Sequence, residues 1–114
     1  MINLNGILSP IDDNVLYNNR GFLYGDAVFE TLKIVNNQIL FLEDHYFRLM
    51  SSMRIIRMEI PMNFSMPFFE NEILKLVQHN NCSQSARVRI TVFRNSGGLY
   101  LPKTNTISYL IDAQ

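Results

Sequence analysis

Between residues 28 and 56 the spacing of apolar side chains changes from two to about 3.6, which confines the chain to folds that lay helices on a sheet. In "VFETLKIV", residues 28 to 35, alternation puts Val28, Glu30, Leu32 and Ile34 on one face and Phe29, Thr31, Lys33 and Val35 on the other. From Leu42 onward, Tyr46, Leu49, Met53 and Ile56 join it in one stripe at about 100° per residue. A helix with one apolar stripe and a strand with one apolar face each need a partner surface, and the mostly apolar face of Val28, Leu32 and Ile34 is the one expected to meet the helices.

The other elements follow the same logic. Asn5-Gly6 between "INL" and "ILS" predicts a two-residue hairpin, because both turn positions want a positive φ that Asn and Gly tolerate. Asn36-Asn37 predicts a second hairpin. The polar run from Asp12 to Gly21 reads as a loop, and "FLYGDA" reads as a bend pinned by Gly25. The first helix is expected to end near Met58 to Pro61. A second starts at Ser65 as N-cap, with Pro67 in its first turn and Phe69, Ile73, Leu76 and Val77 as its stripe. Strands follow in "ARVRITVF" and "TISYLID", separated by the glycine-containing loop "RNSGGLYLPKTN", which is expected to be flexible. With no repeat, low-complexity tract or linker, residues 1–114 read as one α+β domain, a mostly antiparallel sheet with two helices packed on one face.

Charge and cysteine usage exclude several functions. The 10 Lys and Arg balance 10 Asp and Glu, so neither net charge nor a local basic block offers a footprint for nucleic acid. No apolar run reaches the roughly 18 residues of a membrane span, and the N-terminal residues lack the pattern of a signal peptide, which points to a cytoplasmic protein. The single cysteine, Cys82, cannot form an intrachain disulfide, and His45 and His79 lack metal-ligand spacing, so no metal site is expected.

Two places could carry chemistry. His45, Arg48 and Ser52 form a polar seam along the flank of the first helix, where an arginine can simply snorkel to water or hold an anion in a crevice. Phe29, Thr31 and Lys33 set an aromatic ring, a hydroxyl and an ammonium in a row on a strand face. That face is either solvated or part of a pocket for an organic anion. Arg87 and Arg89 share one face of their own strand with Thr91 and Phe93, while Val88, Ile90 and Val92 supply the other.

The order "RGFLYGDAVFETLKI", a two-Asn hairpin, "FLEDHYFRLMSSMRII" and "RVRITVFRNSGG" resembles the N-terminal domain of the class IV, fold type IV, pyridoxal-phosphate enzymes. "YGDAVFET" at 24 to 31 and "HYFRL" at 45 to 49 carry most of the likeness, which extends over nearly the whole chain. The family holds branched-chain and D-amino-acid aminotransferases together with aminodeoxychorismate lyase, so the resemblance implies an enzyme acting on amino and keto acids with pyridoxal 5′-phosphate. It implies that Arg48 binds the cofactor phosphate with His45 as a buttress. It also implies that Tyr24, Phe29, Thr31 and Lys33 face the substrate, and that the protein is a homodimer. Thr31 and Lys33 replace the glycine and arginine usual in branched-chain enzymes and stand closer to the D-amino-acid and lyase patterns. No catalytic residue is expected in these 114 residues: the lysine that carries the cofactor would belong to a C-terminal domain absent here, and the chain alone is expected to be inactive. A non-catalytic α+β interaction module is the alternative of another class.

Overall fold

A computed structural model describes residues 1–10 and 18–114. Six strands form one antiparallel sheet in the order β2-β1-β6-β5-β3-β4. β1 (Ile2–Leu4) and β2 (Ile7–Ser9) make the first hairpin, and β3 (Ala27–Val35) and β4 (Gln38–Ile39) the second. Both turns adopt the positive φ values their residues tolerate, 53° and 89° at Asn5 and Gly6, and 50° and 61° at Asn36 and Asn37. β5 (Ser85–Arg94) and β6 (Ile107–Ala113) complete the sheet.

Two 14-residue helices, α2 (Leu42–Ile55) and α3 (Met66–His79), cover one sheet face, as the stripes require. Ser65 caps α3 by accepting a hydrogen bond from the Phe68 N–H, while Pro67 takes a first-turn position whose N–H would have no intrahelical partner. The even-numbered residues of β3 and β5 point into this layer, so Leu32, Ile34, Val88, Ile90 and Val92 pack against Leu49, Met53, Phe69 and Ile73. α2 stops at Ile55, short of the expected Met58, because Arg57 turns to φ 60° and breaks the helical path.

The principal departure is a third helix, α1 (Arg20–Tyr24), where a loop and a bend were expected. Asn19 caps it by accepting from the Phe22 N–H, and Gly25 ends it at φ 67°. Five residues are too few to display a helical period. α1 lies on the odd-numbered face, where Gly21 approaches Ala27 and Phe93 so closely that a Cβ would sit 3.1 Å and 3.3 Å from theirs. Most of the polar run from Asp12 to Gly21 lies outside the described residues.

Candidate functional site

On the helix-covered face of β3, Glu30 stands where the alternation calls for an apolar residue. Its side chain is only 8 % exposed. A buried carboxylate must be paired and hydrogen-bonded to stay ionised, and the polar seam of α2 supplies the partners. Arg48 donates from Nε to both carboxylate oxygens at 3.0 Å and from Nη2 to Oε1 at 2.8 Å. His45 Nδ1 lies 2.7 Å from Oε1, and because an ionised carboxylate only accepts, that nitrogen carries the proton. Ser52, the third seam residue, turns back to donate to the Arg48 carbonyl.

Burial pushes the Glu30 carboxyl up, but the hydrogen bonds and charges of Arg48 and His45 outweigh it and leave the group below its ordinary value. The hydrogen bond from Arg48 to Glu30, reinforced by their charges, raises the guanidinium in turn. A carboxylate lowered by folding contributes stability above its unfolded value and loses it as pH falls through its folded value. Wild type is therefore expected to lose stability below about pH 4.5 more steeply than Glu30→Gln. Urea midpoints of the two proteins across that range check this; parallel curves would show that the carboxylate is not held by its partners.

The Arg48 side chain is 65 % exposed, although its Nε edge is fixed by Glu30. Nη1 makes no hydrogen bond among the described residues. A guanidinium has five N–H donors, so one fork is spent on Glu30 and the outward donors of Nη1 and Nη2 stay available to an anion. The donor set fits a phosphate, which rewards a permanently charged planar fork.

Phe29, Thr31 and Lys33 lie together on the opposite face of the same strand. Register places Phe29 beside Thr91, Thr31 beside Arg89 and Lys33 beside Arg87, and the Arg89 guanidinium rests 4.9 Å from the Phe29 ring centre. Lys33 Nζ donates to Ser85 Oγ at 3.2 Å. Lys33 and Arg87 stand directly opposite each other, where like charges repel, and both are exposed, while Arg89 has Asp112 opposite it on β6. The suggested residues thus fall on two sides of β3: Arg48 and His45 on the helix side, Phe29, Thr31 and Lys33 on the open side.

Tyr24 sits elsewhere. At the end of α1 its ring is 4.7 Å from the Arg20 guanidinium, and it lines a cleft of about 540 Å³ with Arg20, Gly25, Asp26, Arg94 and Tyr100. Under this cleft lies a second ionic cluster. Asp26 Oδ2 accepts from Arg20 Nε at 2.9 Å and from Arg94 Nε at 2.8 Å, with the two arginine side chains 4 % and 6 % exposed. Arg20 also donates to the carbonyls of Gly97, Leu99 and Tyr100, and Arg94 to the Ile56 carbonyl and Asn105 Oδ1. The glycine-containing loop expected to be flexible is therefore tied down through its backbone. Gly98 is required there, since a Cβ would collide with the Leu101 carbonyl.

Neither Glu30 nor the Arg20, Asp26 and Arg94 cluster was among the expected site residues. The signal was present in the alternation: Glu30 follows Val28 on the core face of β3, and Arg94 follows Val88, Ile90 and Val92 on that of β5. A charge on a core face needs a counter-charge, and both have one.

Comparison with known proteins adds an independent line. The family model for "Amino-transferase class IV" matches residues 27–113. The D-alanine aminotransferase of Staphylococcus aureus strain N315 is 31 % identical over 84 residues, which cover 73 % of this chain and 29 % of that protein. Among solved structures, a branched-chain amino acid aminotransferase of Escherichia coli superposes with a TM-score of 0.85 at 22 % identity, covering 99 % of this chain and 38 % of that one. A branched-chain amino acid aminotransferase of T.th., complexed with N-(5′-phosphopyridoxyl)-L-glutamate, gives a TM-score of 0.81 at 26 % identity, covering 98 % and 39 %. The chain thus spans well under half the length of the relatives it matches.

Proposed function

This chain belongs to the class IV aminotransferase family, and from that premise we propose that it forms the phosphate-holding and substrate-facing half of a pyridoxal-phosphate-dependent amino-acid aminotransferase. The observation that carries the reading is the half-engaged guanidinium of Arg48, anchored by one edge and open at the other. Pyridoxal phosphate, when bound, supplies an electron sink for chemistry at the α-carbon of an amino acid. Arg48 would hold its phosphate, with His45 and Glu30 keeping the guanidinium in place. Phe29, Thr31 and Lys33 would face the substrate, with the Lys33 ammonium set to bind a carboxylate, and Tyr24 would border the site from α1.

The lysine that bonds the cofactor would come from a further domain beyond these residues. Lys33 is bonded to Ser85, Lys75 to Glu72 and the Gly6 carbonyl, and Lys103 lies against Gly97, so none stands with the Arg48 cluster. The apolar side chains of Phe41, Phe47, Leu99, Tyr100 and Leu101 are exposed, which suits a surface covered by that domain and by a second copy in a homodimer. No helix among the described residues is long and apolar enough to cross a membrane. Transamination is favoured over a lyase reaction that eliminates pyruvate, because the matched curated relatives are D-alanine aminotransferases.

Lys33→Met tests the substrate-facing assignment. If the ammonium binds the carboxylate equally in ground and transition states, KM of the natural-length enzyme rises about ten- to a hundredfold with a smaller change in kcat. Steady-state kinetics with D-alanine and with branched-chain L-amino acids checks it. An unaltered KM for every turned-over substrate would place Lys33 outside the pocket.

A further inference from the structure

We infer that Glu30, the carboxylate behind the polar seam, is a positioning residue for the phosphate of pyridoxal phosphate, acting through Arg48. The inference rests on the reading of Arg48 as the phosphate ligand.

A long arginine side chain on a helix surface is free to sweep through many rotamers, and freezing it on binding a ligand costs conformational entropy. Here that freezing has already occurred. Glu30 grips the Nε and Nη2 donors of Arg48 with both carboxylate oxygens, the side-on fork of the guanidinium. His45 Nδ1 holds the carboxylate itself, donating to Glu30 Oε1 at 2.7 Å. What stays free is the outward edge carrying Nη1, on a side chain otherwise open to solvent. A carboxylate that took the outward edge would compete with a phosphate; one that takes the inner edge aims the outer edge at it. The inner edge is the one Glu30 takes.

The backbone sharpens this aim in a second way. Glu30 lies between Phe29 and Thr31 on β3, so the strand that fixes the arginine through one residue presents the substrate-facing residues through its neighbours. His45 and Arg48 reach Glu30 from α2 across the helix-covered face of β3. Glu30 and the residues of the open face therefore share one segment, paired along its whole length with β5.

The experiment is a double-mutant cycle on the protein at its natural length, with pyridoxal 5′-phosphate dissociation measured by equilibrium dialysis. Glu30→Gln is expected to weaken binding about tenfold in the wild-type background and to have no further effect in Arg48→Ala. Arg48→Lys keeps a cation but cannot offer two edges, and is expected to lose nearly as much affinity as Arg48→Ala. Side-chain NMR of the 114-residue chain gives a direct view without any ligand. The Arg48 Nε–H resonance is expected to be protected from exchange in the wild type and to lose that protection in Glu30→Gln. Equal losses from Glu30→Gln in both backgrounds, or full affinity in Arg48→Lys or Glu30→Gln, would overturn the positioning role while leaving Arg48 as the ligand. Full affinity in Arg48→Ala would instead overturn the underlying reading of Arg48.

Discussion

Arg48→Ala in the natural-length protein is expected to weaken pyridoxal-phosphate binding about thirty- to a thousandfold, the loss of one or two charge-assisted hydrogen bonds to a phosphate. The effect on the fold is expected to be smaller, a modest drop in urea midpoint, because an exposed guanidinium contributes little packing and Glu30 keeps His45 as a partner. The two quantities separate the roles of the residue. Equilibrium dialysis reports the affinity and urea unfolding the stability, each on the same preparation. Unchanged affinity with reduced stability would make Arg48 only the counter-ion of Glu30.

Asp26→Ala is expected to act the other way, with its main effect on stability. It would leave Arg20 and Arg94, both almost wholly buried, sharing a pocket with no negative charge. Breaking a buried ionic cluster by removing one partner costs about 3–5 kcal/mol, since the remaining charges are desolvated without compensation. A domain of this size has only about 5–15 kcal/mol in hand, so the variant would lose a large share of its stability. Asp26→Asn retains an acceptor and is expected to fall between. Because Arg20 ties the carbonyls of Gly97, Leu99 and Tyr100, the loop around them is expected to become a site of proteolysis in the Ala variant. Urea midpoints and limited proteolysis check both effects; a loss under about 1 kcal/mol would show that the arginines find water or other partners.

The contrast between these two clusters also explains what the sequence discloses. Local rules were sufficient for the hairpins at Asn5-Gly6 and Asn36-Asn37, where two adjacent residues meet the backbone requirement of the turn. They were sufficient for α3, where Ser65 and Pro67 mark the start and four apolar residues mark the buried face. They failed for α1, whose five residues cannot show a period and whose capping Asn19 sits in a run of polar residues that reads as loop. The ionic clusters were harder still, because partners come from different elements: Arg48 meets Glu30 across 18 residues and Arg94 meets Asp26 across 68, and only Arg20 and Asp26 are near neighbours in the chain. Only one side of each pairing is visible locally, as a charge out of place on a core face. The family resemblance picked out Arg48 and His45 but not Glu30, the residue that holds them together.

The most direct measurement of the central claim is the visible absorbance of the purified natural-length protein titrated with pyridoxal 5′-phosphate and then with an amino donor. The expected result is a cofactor band that appears with stoichiometric binding, fades when D-alanine or a branched-chain L-amino acid is added, and returns on addition of a keto acid. A protein that binds no cofactor, or whose bound cofactor responds to no amino donor, would contradict the assignment of these residues to a pyridoxal-phosphate aminotransferase.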